Sequence, residues 1–195
     1  MKRVFIIHGW GGYSGEGWFP WLKKELEKQN FFVEIPSMPD SNEPKIETWV
    51  DYLKELIIKP DEETFLIGHS IGSQTILRYL EMLNPEGKVG GAIFVAGWFS
   101  LAMYESDEEK RIAKPWIENP IDFEKVKSHC KNFSAIFSTD DPFVLINDNA
   151  PIFRERLGIK NIKIERNKGH FSGSDGVSEL PVVLDELLRI SEGHA

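Results

Sequence analysis

The sequence is short of cysteine, of basic runs and of long apolar stretches, and each shortage excludes something. Its one cysteine, Cys130, rules out an internal disulfide and any cysteine-rich metal cluster, and points to a reducing, cytoplasmic setting. Cys130 follows His129, but sequence neighbours rarely face each other productively, so the pair reads as structural rather than as a thiol nucleophile and its base. Acidic residues number 31 against 23 basic ones, a formal net charge of −8 over 195 residues. With no cluster of Lys and Arg, nucleic acid and anionic membrane surfaces are poor partners. No apolar run approaches a membrane span. The run after Lys2 and Arg3, Val4 to Ile7, is too short for a secretory signal. Repeats, low-complexity tracts and linkers are absent too, so residues 1–195 are expected to form one domain.

Glycine is present where chemistry needs it. Phe65 to Ile67 read as a buried strand that runs into Gly68-His69-Ser70-Ile71-Gly72, and a helical pattern follows at once, with Ile76, Leu77, Leu80 and Leu83 on one face. This is the sequence form of a nucleophile elbow. A strand that reverses into a helix within two or three residues forces the serine into a strained conformation. The positions two before and two after it must then be small, as Gly68 and Gly72 are. The serine oxygen would sit at a helix N-terminus, where unpaired backbone N–H groups can stabilise an oxyanion.

Elsewhere, strand and helix patterns alternate. Strands are expected over Arg3–Ile7, Phe31–Ile35, Val89–Ala96, Asn132–Ser138 and Asn161–Glu165. Helices are expected over Trp18–Gln29, Ile46–Ile58, Gln74–Leu83, Asp122–Cys130, Ile146–Leu157 and Val177–Ile190. Residues 97–119 read as the least regular region, a solvated loop with a short helix or a small lid whose aromatic residues shape a pocket. The alternation argues an α/β sandwich with about six mostly parallel strands. In such sheets ligands sit at the carboxyl ends of the strands. Gly9-Trp10, Ser70, Asp141 and His170 each fall just past such an end.

Those four positions make a reacting set. Serine is a weak nucleophile until a base takes its proton, and histidine has a suitable pKa. A carboxylate on the other ring nitrogen fixes the tautomer. His170 is the histidine on a loop after the last strand and is the expected base; His8 and His69 read as supporting residues, His129 lies on a helix, and His194 is near the end of the chain. Asp140 and Asp141 compete for the acid. Asp141, followed by Pro142 and two apolar residues, is preferred, with Asp140 as a turn cap. The order Ser70, Asp141, His170 is that of α/β hydrolases.

Five glycines between Gly9 and Gly17 raise a phosphate loop as an alternative. Gly12 and Gly17 have the Walker spacing, but Trp18 stands where lysine is needed, and the dinucleotide pattern lacks its third glycine. The loop reads better as the partner of the elbow, with the Trp10 and Ile71 N–H groups as the oxyanion hole. Trp18, Trp98, Phe99, Trp116, Phe143 and Phe171 are candidates for the substrate pocket. No metal or cofactor is expected.

With these residues in place, the chain resembles the small serine hydrolases similar to retinoblastoma-binding protein nine, within the α/β-hydrolase superfamily. The likeness rests on the Gly9-to-Gly12 loop, Gly17-Trp18 with Trp21 to Leu26, Met38-Pro39-Asp40, Ile67 to Ser70, Ser138 to Phe143, and Gly169-His170-Phe171. It implies a minimal α/β-hydrolase fold without a large cap, Ser70, Asp141 and His170 as triad, and no metal or cofactor. The family name suggests retinoblastoma-protein binding through Leu-x-Cys-x-Glu. Here the residues around Cys130 are Ser128-His129-Cys130-Lys131-Asn132, so that partner is not expected.

The expected activity is cleavage of a small-molecule ester or amide through an acyl-enzyme on Ser70. Two alternatives stay open: a non-catalytic binding module on the same fold, and thioester cleavage or acyl transfer by the same residues.

Overall fold

The computed structural model describes residues 1–160 and 162–193; the expected start of the last strand at Asn161, and His194, lie outside the described residues. Among the described residues, six strands form one sheet: β1 (Arg3–Ile7), β2 (Phe32–Glu34), β3 (Thr64–His69), β4 (Gly91–Val95), β5 (Phe133–Ser138) and β6 (Lys163–Glu165). Among the described residues, seven helices connect and cover them: α1 (Phe19–Lys28), α2 (Ile46–Leu56), α3 (Ile71–Glu81), α4 (Asp107–Glu118), α5 (Phe123–His129), α6 (Ile146–Leu157) and α7 (Pro181–Ser191). The sheet order is β2-β1-β3-β4-β5-β6, and every neighbouring pair is parallel.

The order explains the sequence pattern. The central strands β3 and β4 are buried at every position, because helices lie on both faces. The edge strands have only three residues each and expose Phe32 and Ile164. One face is packed by α1 and α7 through Phe19, Leu22, Leu26, Val183 and Leu187. The other is packed by α2 to α6 through residues such as Trp49, Leu53, Leu80, Val126 and Phe153. The fold is an α/β-hydrolase fold without a large cap.

Two expected elements differ. Residues 107–118 form the 12-residue helix α4, longer than the short helix expected within the irregular 97–119 segment. Ser106 caps it, its hydroxyl accepting the Glu109 N–H at 3.1 Å, and Ile112, Ala113 and Trp116 make its buried face. Asp107, Glu108 and Glu109 make up its first turn, where negative charge complements the helix dipole. The closing helix begins at Pro181 rather than Val177, since proline suits a first helical turn and the residues before it are spent on a loop described below.

Register places the chemistry. β1 pairs with β3 as far as Ile7 with Gly68, and β3 with β4 as far as His69 with Val95. The loops after β1, β3, β4, β5 and β6 therefore emerge along one rim.

Candidate active site

Ser70 lies between β3 and α3 with φ 53° and ψ −121°, a left-handed backbone that a non-glycine residue adopts only when its surroundings impose it. Here they do. The Ser70 N–H donates to the Val95 carbonyl at 2.8 Å, and α3 begins at the next residue. A Cβ on Gly68 would meet the Ser73 nitrogen at 2.6 Å, and one on Gly72 would collide with the Ile7 carbonyl oxygen. Only glycines allow strand and helix to close this tightly. Ser70 is mostly buried, yet it reaches a cavity of about 380 Å³.

His170 lines the same cavity. Its Nδ1 lies 2.8 Å from Asp141 Oδ2, and Asp141 is buried. The second carboxylate oxygen of Asp141 accepts the Phe143 and Val144 N–H groups at 2.9 and 3.0 Å, which fixes the plane in which the imidazole is held. Asp140 turns the other way. Its Oδ1 accepts from Ser138 Oγ at 2.7 Å and from the Gly169 N–H at 3.0 Å, an arrangement that holds its carboxyl below the usual carboxylate range.

The histidine loop is tied down from several directions. Asp175 Oδ2 accepts the His170 N–H at 3.0 Å. The His69 ring donates from Nε2 to the His170 carbonyl at 2.7 Å, and Trp18 Nε1 donates to the Phe171 carbonyl at 3.1 Å. Asn167, Gly169 and Phe171 all have positive φ, so this loop holds an unfavourable backbone path through those ties. Asp175 is absent from the residues that the sequence suggested, and nothing in its local pattern marks it.

His8 and His69 are neutral by environment. Burial lowers the pKa of His8. Burial, and then the nearness of His170, push His69 down to about 3. His8 Nε2 accepts the Met38 N–H at 2.9 Å, so its Nδ1 carries the proton and donates to the Gly9 carbonyl at 2.8 Å. That shapes the loop after β1. Gly11, at φ 64°, donates to the Ser41 carbonyl, and Trp10 Nε1 donates to the Asn42 carbonyl. Ile71 is the first residue of α3, where a backbone N–H has no carbonyl of the same helix to pair with.

Of the six aromatic pocket candidates, Trp98 and Phe143 line the cavity, together with Trp10, Leu101, Met103 and Tyr104. Trp18 lies buried beneath the histidine loop instead, and the side chain of Phe171, from that loop, is buried in the same apolar cluster. Phe99 packs against Phe123 and Phe153, and Trp116 against Trp49, so both belong to the core. The mouth is acidic, with Glu16, Glu105 and Glu109 among the lining residues. Cys130 is buried away from the cavity, its thiol pushed up to about 12 by burial, and makes no usable nucleophile. Among the described residues no three His, Cys, Asp or Glu side chains gather as a metal site requires, and no helix is long and apolar enough to cross a membrane.

Comparison with known proteins gives the family. Residues 4–189 match the family model described as serine hydrolase. The chain belongs to the serine hydrolase family. Its relatives include YdeN of Bacillus subtilis (strain 168), described as a hydrolase and 33% identical over 190 residues that cover 95% of this chain and 94% of that one. The crystal structure of the ydeN gene product superposes with a TM-score of 0.88 at 31% identity, covering 97% and 98% of the two chains. Serine hydrolase RBBP9 of Rattus norvegicus is 29% identical over 191 residues, 96% of this chain and 92% of that one. A carboxylesterase structure from Nitrososphaera gargenis shares the fold with a TM-score of 0.68 at 18% identity, covering 100% and 92%.

Proposed function

We propose that this serine hydrolase cleaves small carboxylic esters or amides through an acyl-enzyme on Ser70. The observation that carries the reading is the 2.8 Å contact between His170 Nδ1 and Asp141 Oδ2, with the imidazole and the left-handed Ser70 on the wall of one cavity.

Asp141 keeps the proton of His170 on Nδ1, so Nε2 offers a lone pair. Nε2 takes the Ser70 proton as Oγ attacks the substrate carbonyl, and the oxygen that becomes negative is received by the Trp10 and Ile71 N–H groups. The imidazolium returns the proton to the departing alcohol or amine. Water then repeats the sequence on the acyl-enzyme and frees the acid. Among the described residues no hydrogen bond joins Ser70 Oγ to His170 Nε2; such contacts are often long without substrate and tighten as the site fills. No metal or cofactor enters any step. The cavity, at about 380 Å³, is near the lower end for small-molecule sites and suits a compact acyl group.

The test is reaction with a fluorophosphonate and turnover of p-nitrophenyl esters. Labelling at Ser70, with both activities lost in Ser70→Ala, is the expected result. Ester cleavage undiminished in Ser70→Ala would end the reading.

A further inference from the structure

Four tryptophans are fully buried: Trp18, Trp49, Trp98 and Trp116. Three donate their indole N–H to a main-chain carbonyl, those of Phe171, Pro39 and Pro44. That is the ordinary solution for a buried indole, which has a donor and no acceptor. Trp98 differs. Its Nε1–H donates to Ser70 Oγ, at 3.3 Å.

The position of Trp98 is closely controlled. It follows β4 by way of Ala96, at φ 46°, and Gly97, where a Cβ would meet the Phe153 ring at 2.7 Å. Gln74, from α3, donates to the Trp98 carbonyl at 2.8 Å. Asn149 Oδ1 accepts the Phe99 and Ser100 N–H groups at 2.7 and 3.1 Å. The indole is thus held against the nucleophile by α3 on one side and α6 on the other.

We propose that Trp98 is a catalytic residue whose indole N–H supports the Ser70 oxygen when that oxygen carries charge. This rests on the hydrolase reading above and adds a donor aimed at the nucleophile itself, separate from the N–H pair that receives the substrate oxygen. Because Trp98 can only donate, Oγ must accept, and the hydroxyl's own proton stays available to His170. As His170 removes that proton, the lone pair facing the indole gains charge and the hydrogen bond strengthens. Once Oγ is acylated it is an ester oxygen and a weak acceptor. When water displaces the acyl group, the electron pair of the breaking Oγ–C bond returns to Oγ, the indole donates again, and His170 delivers the proton that restores the hydroxyl. The indole proton is never transferred. The contact therefore strengthens as charge develops on Oγ in both halves of the reaction, which is what accelerates a chemical step.

The experiment has two arms. In the first, the indole 15N–1H resonance of Trp98, assigned by its loss in Trp98→Phe, is followed in Ser70→Ala. A clear shift is expected; an unmoved resonance overturns the contact, whatever the enzyme hydrolyses. In the second, Trp98→Phe is compared with wild type for fluorophosphonate labelling rate, kcat, KM and melting temperature. The expected result is a fall of about tenfold in labelling rate and kcat with KM little changed, the scale of one hydrogen bond to a charged group. Equal labelling rates in a folded Trp98→Phe overturn the proposal alone. Wild-type protein that never labels overturns the hydrolase reading on which it stands. If Trp98→Phe does not fold, the first arm, with the resonance assigned by labelling at residue 98, decides.

Discussion

His69 Nε2 donates to the main-chain carbonyl of His170 at 2.7 Å, so the residue beside the proposed nucleophile grips the backbone of the proposed base. The other ring nitrogen, Nδ1, is buried with no partner, and the ring stays neutral because burial depresses its pKa to about 3. In the unfolded chain the same imidazole titrates at its ordinary value of 6.5. Between these values the unfolded chain takes up a proton that the folded one refuses. Stability is therefore complete above 6.5 and falls as pH drops toward 3, by up to about 1.4 kcal/mol per pH unit for one such group. His8, also depressed by burial, acts in the same direction. Urea unfolding between pH 4.5 and 7 should show this slope, and His69→Gln should flatten it. Parallel curves for the two proteins would refute the assignment.

The carboxylates at 140 and 141 should separate sharply. Asp141→Asn removes the charge that orients His170 and should lower kcat by about 10⁴-fold, with binding little affected. Asp140→Asn keeps an oxygen for the Gly169 N–H and should cost less than about tenfold. Steady-state kinetics on one ester decides; comparable losses in both would mean that the acid has been misassigned.

Asp175 accepts from the His170 and Ser172 N–H groups and from Ser172 Oγ, and a Cβ on Gly169 would strike its carboxylate. Asp175→Ala should release the histidine loop, lowering kcat more than it lowers melting temperature. Gly169→Ala should do the same, since it adds a clash to a positive-φ position. Amide exchange across residues 167–176 measures the loosening directly. Wild-type exchange and kcat in Asp175→Ala would show the ties to be idle.

Arg78 is buried on α3, and its guanidinium donates to the Trp116 and Asn119 carbonyls, both at 2.9 Å, at the end of α4. Arg78→Met should free that helix end at a cost of about 2 kcal/mol. KM should rise more than kcat falls, because the 101–109 wall of the cavity leads into α4. Unchanged melting temperature and KM would contradict this.

The cavity mouth carries Glu16, Glu105 and Glu109, and among the described residues no Lys or Arg lines it. A substrate with a carboxylate near the cleaved bond should bind a few-fold more weakly than its neutral analogue of equal size. The gap should narrow in high salt, since these groups are near solvent. A gap independent of ionic strength would assign the discrimination to shape.

Much of this architecture is legible in the chain because it rests on local rules. Gly68 and Gly72 flank Ser70 for steric reasons that any strand-to-helix reversal obeys, and Asp141-Pro142 is a turn by its own chemistry. Strand order is different. That β1 sits between β2 and β3 is a long-range pairing, and the apolar runs that form the strands look alike. Helix α4 was obscured by Pro115 and the acidic run, although Ser106 and Glu109 have the spacing of a capped start. The pocket aromatics were the least legible. Trp18 and Trp98 have the same residue type and both are buried, and only the fold determines that one reaches Phe171 and the other Ser70.

Helix α3 is buried at ten consecutive residues, from Ile71 to Leu80. An engineer seeking a new substrate has little room to edit there, because those ten residues are already enclosed by the core. Freedom lies across the cavity, at Met103 and Glu105, which face solvent and the void together. Libraries confined to that wall should change selectivity while leaving the reacting machinery intact.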